Sequence, residues 1–168
     1  FVDRGSFVQV LGWREGQVIP VAEGAPFGRP HRWTNPLGVV DLDGDGVPEI
    51  LTVHTPHTTG VLHAFHLRGG ELHSVARIDG FTSHAVGSRN QDQALAADLD
   101  GNGRPEVVIP RQSRDALAGL ELDGGRFVER WSYQLHGTIM SNLVAADLNG
   151  DGALDLAVAD RKALHVLL

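Results

Sequence analysis

Apolar residues in this chain come in short continuous runs, with no helical spacing. "EILTV" (49–53), "EVVIP" (106–110) and "LDLAVA" (154–159) are apolar at nearly every position. Strict alternation would mark a sheet with one wet face, whereas a continuous run marks a strand covered on both faces. No 15-residue window carries a 3.6-residue apolar period. Two further stretches, "GVLHAFHLRGGELHSVARI" (60–78) and "DALAGLELDGGRFVERWSY" (115–133), predict strand, tight Gly-Gly turn, strand. "GSFVQVLGWREGQVIPVAE" (5–23) has the same form, and "KALHVLL" (162–168) matches the first arm of such a hairpin.

The continuous runs share a preamble. "VVDLDGDGVPEILTV" (39–53), "AADLDGNGRPEVVIP" (96–110) and "AADLNGDGALDLAVA" (145–159) place their first aspartates at Asp41, Asp98 and Asp147, 57 and 49 residues apart. Recurrence at this period predicts a repeat architecture. Each full unit reads as strand, acidic loop, strand, short link, strand, tight turn, strand. Small four-stranded sheets stacked face to face around an axis cover an inner strand on both sides, so the expected fold is an all-β propeller. The expected units are the last hairpin of a preceding blade (5–24), two blades (36–80 and 93–134) and an incomplete blade (142–168). That makes about three blades, fewer than the four or more of closed propellers. The chain is therefore expected to belong to a larger propeller, with the remaining blades in cis or on another chain. A compact β-sandwich is the alternative.

Composition narrows this further. The 168 residues suffice for one domain, and 21 glycines and 8 prolines favour turns over long helices. Without cysteine, the chain has no disulfides or thiolate metal sites. No apolar stretch is long enough to span a membrane as a helix. The formal charge of −7 and scattered arginines argue against a nucleic-acid partner. Of the 21 acidic residues, 10 lie in the three nine-residue loops, so the acidity is largely local.

Aligned by position, the loops present Asp41, Asp98 and Asp147 first, and Asp43, Asp100 and Asn149 third. Asp45, Asn102 and Asp151 come fifth, and Glu49, Glu106 and Asp155 ninth. All carry carboxylate or amide oxygens, the donors a hard cation such as calcium takes in sets of six to eight. The seventh residues, Val47, Arg104 and Ala153, would contribute backbone carbonyls, which leaves their side chains unrestricted. Glycine at the sixth position (Gly46, Gly103, Gly152) permits the left-handed turn that wraps the loop. An EF-hand would need a glutamate at position twelve, where this chain has Thr52, Ile109 and Val158. Up to three calcium ions are expected. Loop one, with the most carboxylates, is expected to bind most tightly. Magnesium, which prefers a rigid octahedron and few protein ligands, fits less well.

At these residues the chain resembles the FG-GAP/VCBS repeat family, the calcium-loop blades of integrin α-subunit propellers and of many bacterial exported proteins. "APFG" (25–28) and "IDGF" (78–81) are faint echoes of the family signature. The resemblance is nearer the bacterial branch. It implies a propeller, usually seven-bladed, with calcium at blade edges. It also implies a periplasmic or extracellular location and a signal peptide in the precursor.

Polar segments lead into the first strand of each unit and are expected to gather at one end of the axial channel. They carry His31, Arg32, Trp33 and Asn35, then His84, Arg89, Asn90 and Asp92, then His136 and Asn142. These residues either cap loops and join neighbouring blades, or form a ring that binds a glycan or protein ligand, with Trp33 as a stacking platform. Three histidines can hold zinc, but these lie 10, 14 and 11 residues before their loops, an irregular offset for one shared site. There is no nucleophile elbow, phosphate loop or dinucleotide fingerprint. The expected function is a non-catalytic binding or scaffold propeller. The alternatives are a channel-mouth active site acting on polysaccharide, or a structural subunit that pairs with another chain.

Overall fold

A computed structural model describes residues 5–29 and 32–168. Among the described residues there is no helix. The chain forms strands β1 (Gln9–Arg14), β2 (Gln17–Glu23), β3 (Thr34–Val40), β4 (Glu49–His54), β5 (Val61–Arg68), β6 (Glu71–Asp79) and β7 (Leu95–Ala97). It continues with β8 (Glu106–Pro110), β9 (Ala116–Asp123), β10 (Arg126–Gln134), β11 (Val144–Ala146), β12 (Asp155–Ala159) and β13 (Leu164–Leu167).

The strands form antiparallel meanders. β3–β6 pair in order, β7–β10 form a second four-stranded sheet, and β11–β13 form a third of three strands. The β1–β2 hairpin borders the first sheet through one parallel pair, Glu23 with Glu71. The hairpins follow from their turns: Gly69-Gly70 and Gly124-Gly125 all have positive φ, which suits the twist of two-residue hairpin loops.

The core explains why the inner runs lack alternation. One apolar cluster joins the first and second sheets through Leu51, Val53, Leu62 and Ala64 on one side and Val107, Ile109, Ala118 and Leu120 on the other. A second cluster joins Val108 and Leu117 of the second sheet to Leu156 and Val158 of the third. Successive residues of β8 thus face opposite clusters, and all five are buried. Each such side chain contributes about 1.5–3 kcal/mol by leaving water. Neighbouring sheets are also joined through the polar lead-in segments. Gln93 Nε2 donates to Ser141 O at 3.2 Å, and Leu143 N donates to Asp92 O at 2.9 Å. This stack of meanders is consistent with a propeller-like fold.

The outer face of β4 differs. Thr52 and His54 lie there, and Phe27 stacks on His54 with ring centroids 3.7 Å apart. His54 is held between Thr34 Oγ1 (2.9 Å) and Thr52 Oγ1 (3.0 Å), while His63 Nε2 meets Ser74 Oγ at 2.7 Å. Burial lowers the pKa of both imidazoles to about 4, helped by Arg77 and, for His63, by His54.

Candidate metal centres

Each acidic loop is folded by its own first and last carboxylates. In loop one, Asp41 accepts from Gly44 N (2.8 Å) and Gly46 N (2.9 Å), and Glu49 Oε2 accepts from Leu42 N (2.8 Å). Loop three repeats this arrangement: Asp147 accepts from Gly150 and Gly152, and Asp155 accepts from Leu148 N. In loop two, Asp98 accepts from Gly103 N (2.9 Å) and Glu106 from Leu99 N (3.0 Å). The third- and fifth-position residues make the same short turns, as where Arg104 N donates to Asn102 Oδ1 and Ala153 N to Asp151 Oδ1.

The ninth-position side chains Glu49, Glu106 and Asp155 are all buried. Glu49 is also met by His66 Nε2, a partner that nothing in the loop motif announces. Burial raises the pKa of Glu106, with Asp100 and Asp98 adding to the rise against backbone hydrogen bonds that lower it.

The sixth-position glycines have positive φ, as expected, but so do Gly44, Gly101 and Gly150 at position four. That second left-handed residue was readable, because all three copies carry it.

Asp41, Asp43 and Asp45 bring carboxylate oxygens within 4.8 Å of one another, as do Asp98, Asp100 and Glu106. Asp98 Oδ1 is buried without a hydrogen-bond partner among the described residues. An all-oxygen donor set with one orphaned buried oxygen fits a hard divalent cation. In loop three, Asp147 is exposed, whereas Asp41 and Asp98 are half-buried.

A family model for the FG-GAP-like repeat matches residues 41–109 and again residues 98–158, each match beginning at a loop's first aspartate. The chain belongs to the FG-GAP-like repeat family. Comparison with curated proteins finds no match.

Beside the FG-GAP-like loops, the polar lead-in segments do two different things. Their amides join neighbouring segments: Asn90 Nδ2 donates to Met140 O, Asn142 Oδ1 accepts from Asp92 N (3.3 Å), and Asn35 Nδ2 makes a long 3.5 Å contact with Gln91 O. Arg32, Trp33 and Arg89 are exposed. His31 lies outside the described residues. His84 is buried, with its ring centroid 4.6 Å from that of His57 and 5.6 Å from Trp33. His136 lies instead beside His165 and Asp160, so His84 and His136 do not converge. In that group His165 is already held on both ring nitrogens, by Asp160 at 2.9 Å and by Tyr133 Oη at 3.0 Å. Glu129 is paired with Arg111.

Proposed function

We propose that this FG-GAP-like chain is a calcium-stabilised, non-catalytic binding or scaffold propeller of an exported protein. The observation that carries the reading is the loop repeated three times with a buried ninth-position carboxylate, its first-position aspartate joining a cluster of carboxylate oxygens in loops one and two. In loop one, Asp41, Asp43, Asp45 and Glu49 would hold calcium with the Val47 carbonyl. Loop two would use Asp98, Asp100, Asn102, Glu106 and the Arg104 carbonyl. Loop three would use Asp147, Asn149, Asp151, Asp155 and the Ala153 carbonyl. Bound ions would cancel the repulsion among crowded carboxylates and tie the first strand of each unit to the second. This role is structural. Extracellular or periplasmic calcium, often millimolar, would keep even weak loops filled, which supports an exported location in a chain without disulfides.

In this reading, residues 36–80 and 93–134 are four-stranded blades, 142–168 is part of a third, and 5–24 is a hairpin of a preceding one. Val144, Leu164 and Val166 are exposed on the third sheet, which favours further blades, in cis or on another chain, packing there. Equilibrium dialysis against calcium tests the proposal. The expected result is up to three ions per chain, with one lost on Asp41→Asn/Asp45→Asn double substitution. No bound calcium at millimolar concentration would overturn it.

A further inference from the structure

Four of the six buried side-chain polar atoms that lack a partner among the described residues belong to residues that line one groove. His57 and His84, whose Nε2 atoms lack a partner, line a cavity of about 240 Å³ together with Gln112 and Arg114. Gln93, whose Oε1 lacks a partner, lines a cavity of about 480 Å³ together with Arg89 and Arg161. The two cavities share Ala85, Val86 and Arg114. A third depression, with Trp33 and Arg32, joins the first at His57. Buried polar atoms are ordinarily satisfied by protein or ordered water, so such a concentration marks a place where water or a hydroxylated ligand can bond.

The charge of the groove is opposite to that of the chain. Arg32, Arg89, Arg114 and Arg161 line it and, among the described residues, no aspartate or glutamate does, although the chain carries −7 overall. None of these four arginines forms an ion pair among the described residues, whereas Arg68, Arg77, Arg111 and Arg130 do. The backbone is strained at the same place. Arg114 (φ 60) and Thr55 (φ 48), two of the three non-glycine residues with positive φ, line the groove. Arg114 is fixed there by Arg114 N donating to Arg111 O (2.8 Å) and by Ile139 N donating to Arg114 O (2.9 Å).

We propose that this groove binds an acidic oligosaccharide of the uronate class. Guanidinium groups recognise carboxylates in bidentate fashion. The orphaned atoms are of both kinds: the amide oxygen of Gln93 accepts, while the imidazole Nε2 of His84 can donate when Nδ1 accepts from Ser83 Oγ at 3.0 Å. A sugar hydroxyl both donates and accepts and therefore suits the set, whereas an acidic side chain brings acceptors only. Trp33, half exposed at the groove's end, offers a face for a pyranose ring. The inference rests on the binding role proposed above and names its ligand class.

The test is titration calorimetry of the calcium-saturated protein with oligogalacturonate, its methyl ester and poly-L-glutamate, with the calcium-dependent melting shift recorded on the same sample. Oligogalacturonate is expected to bind, the ester at least tenfold more weakly. Arg114→Gln and the exposed Arg161→Gln are expected to lose fivefold or more each without altering the calcium shift. If the calcium shift is intact and oligogalacturonate does not bind, or binds Arg114→Gln and Arg161→Gln as well as wild type, this assignment is wrong while the calcium reading stands. Tighter binding of polyglutamate than of oligogalacturonate overturns the glycan class. A missing calcium shift beside arginine-dependent oligogalacturonate binding overturns the calcium reading alone.

Discussion

His54 and His63 make the first sheet acid-sensitive well above the pH at which carboxylates titrate. Both are nearly inaccessible, at 3 % and 4 % exposure, and burial lowers their pKa from 6.5 to about 4. In the unfolded chain they take up protons near pH 6.5. In the folded chain they stay neutral until about pH 4. Between those values the unfolded state holds more protons, so stability is fully present above pH 6.5 and falls as the pH drops. At pH 5 one such group costs about 2 kcal/mol, rising to about 3 kcal/mol at pH 4. The two contributions are not independent, because part of the His63 shift comes from His54. The wild type is therefore expected to lose about 2–4 kcal/mol between pH 7 and pH 5, while most carboxylates remain ionised. The assay is urea denaturation in saturating calcium at pH 7, 6 and 5, comparing wild type with His54→Gln/His63→Gln. The double variant is expected to be less stable at pH 7, because it disturbs the Phe27 stack, yet to show a much flatter pH dependence. His57 and His84, also lowered by burial, are present in both proteins and cancel in the comparison. Equal losses from pH 7 to pH 5 in the two proteins would refute the assignment of neutral buried imidazoles.

Leu62→Ala removes a fully buried side chain from the cluster between the first two sheets and is expected to cost about 2–5 kcal/mol, read as a lower urea midpoint at unchanged slope. Gly119 pairs with Trp131 across β9 and β10, and a Cβ at Gly119 would lie 2.1 Å from the indole; Gly119→Ala is expected to cost about 1–3 kcal/mol and to shift the Trp131 fluorescence. Glu49→Gln keeps the shape of the buried ninth position but removes its charge, so calorimetry should show loop one weakened at least tenfold, with unchanged affinity arguing against ligation by Glu49. The Arg104 side chain lies over Gly44 of loop one, its Nε 3.7 Å from where a Cβ would stand. Arg104→Gln should therefore tighten calcium at loop one by roughly two- to fivefold, as expected for an exposed charge worth about 0.2–1 kcal/mol.

The strands and loops were legible because their signals are local. A Gly-Gly pair between apolar runs specifies a hairpin at Gly69-Gly70, and the unbroken apolar run of β8 reports burial on both faces before any partner is known. The loop oxygens were legible because three copies can be aligned. What escaped the sequence depends on where the sheets bring distant segments together. His66 gives no sign in its own hairpin that it will meet Glu49, 17 residues away. His57 and His84 lie in separate links, and only the packing of two sheets places their rings 4.6 Å apart. Phe27 reads as part of a weak motif echo at "APFG", yet it covers the outer face of β4 and buries His54 and His63.

The most direct measurement is the melting temperature of the same chain in millimolar calcium and after exhaustive chelation, with bound metal counted on the calcium-loaded sample. A site saturated at a hundredfold its Kd contributes about 2.7 kcal/mol, or roughly 5–10 °C for a chain of this size. The expected result is a rise of at least that much together with one to three bound calcium ions. Identical melting in the two conditions, with no metal retained at Asp41, Asp98 or Asp147, would contradict the reading of the acidic loops as structural calcium sites.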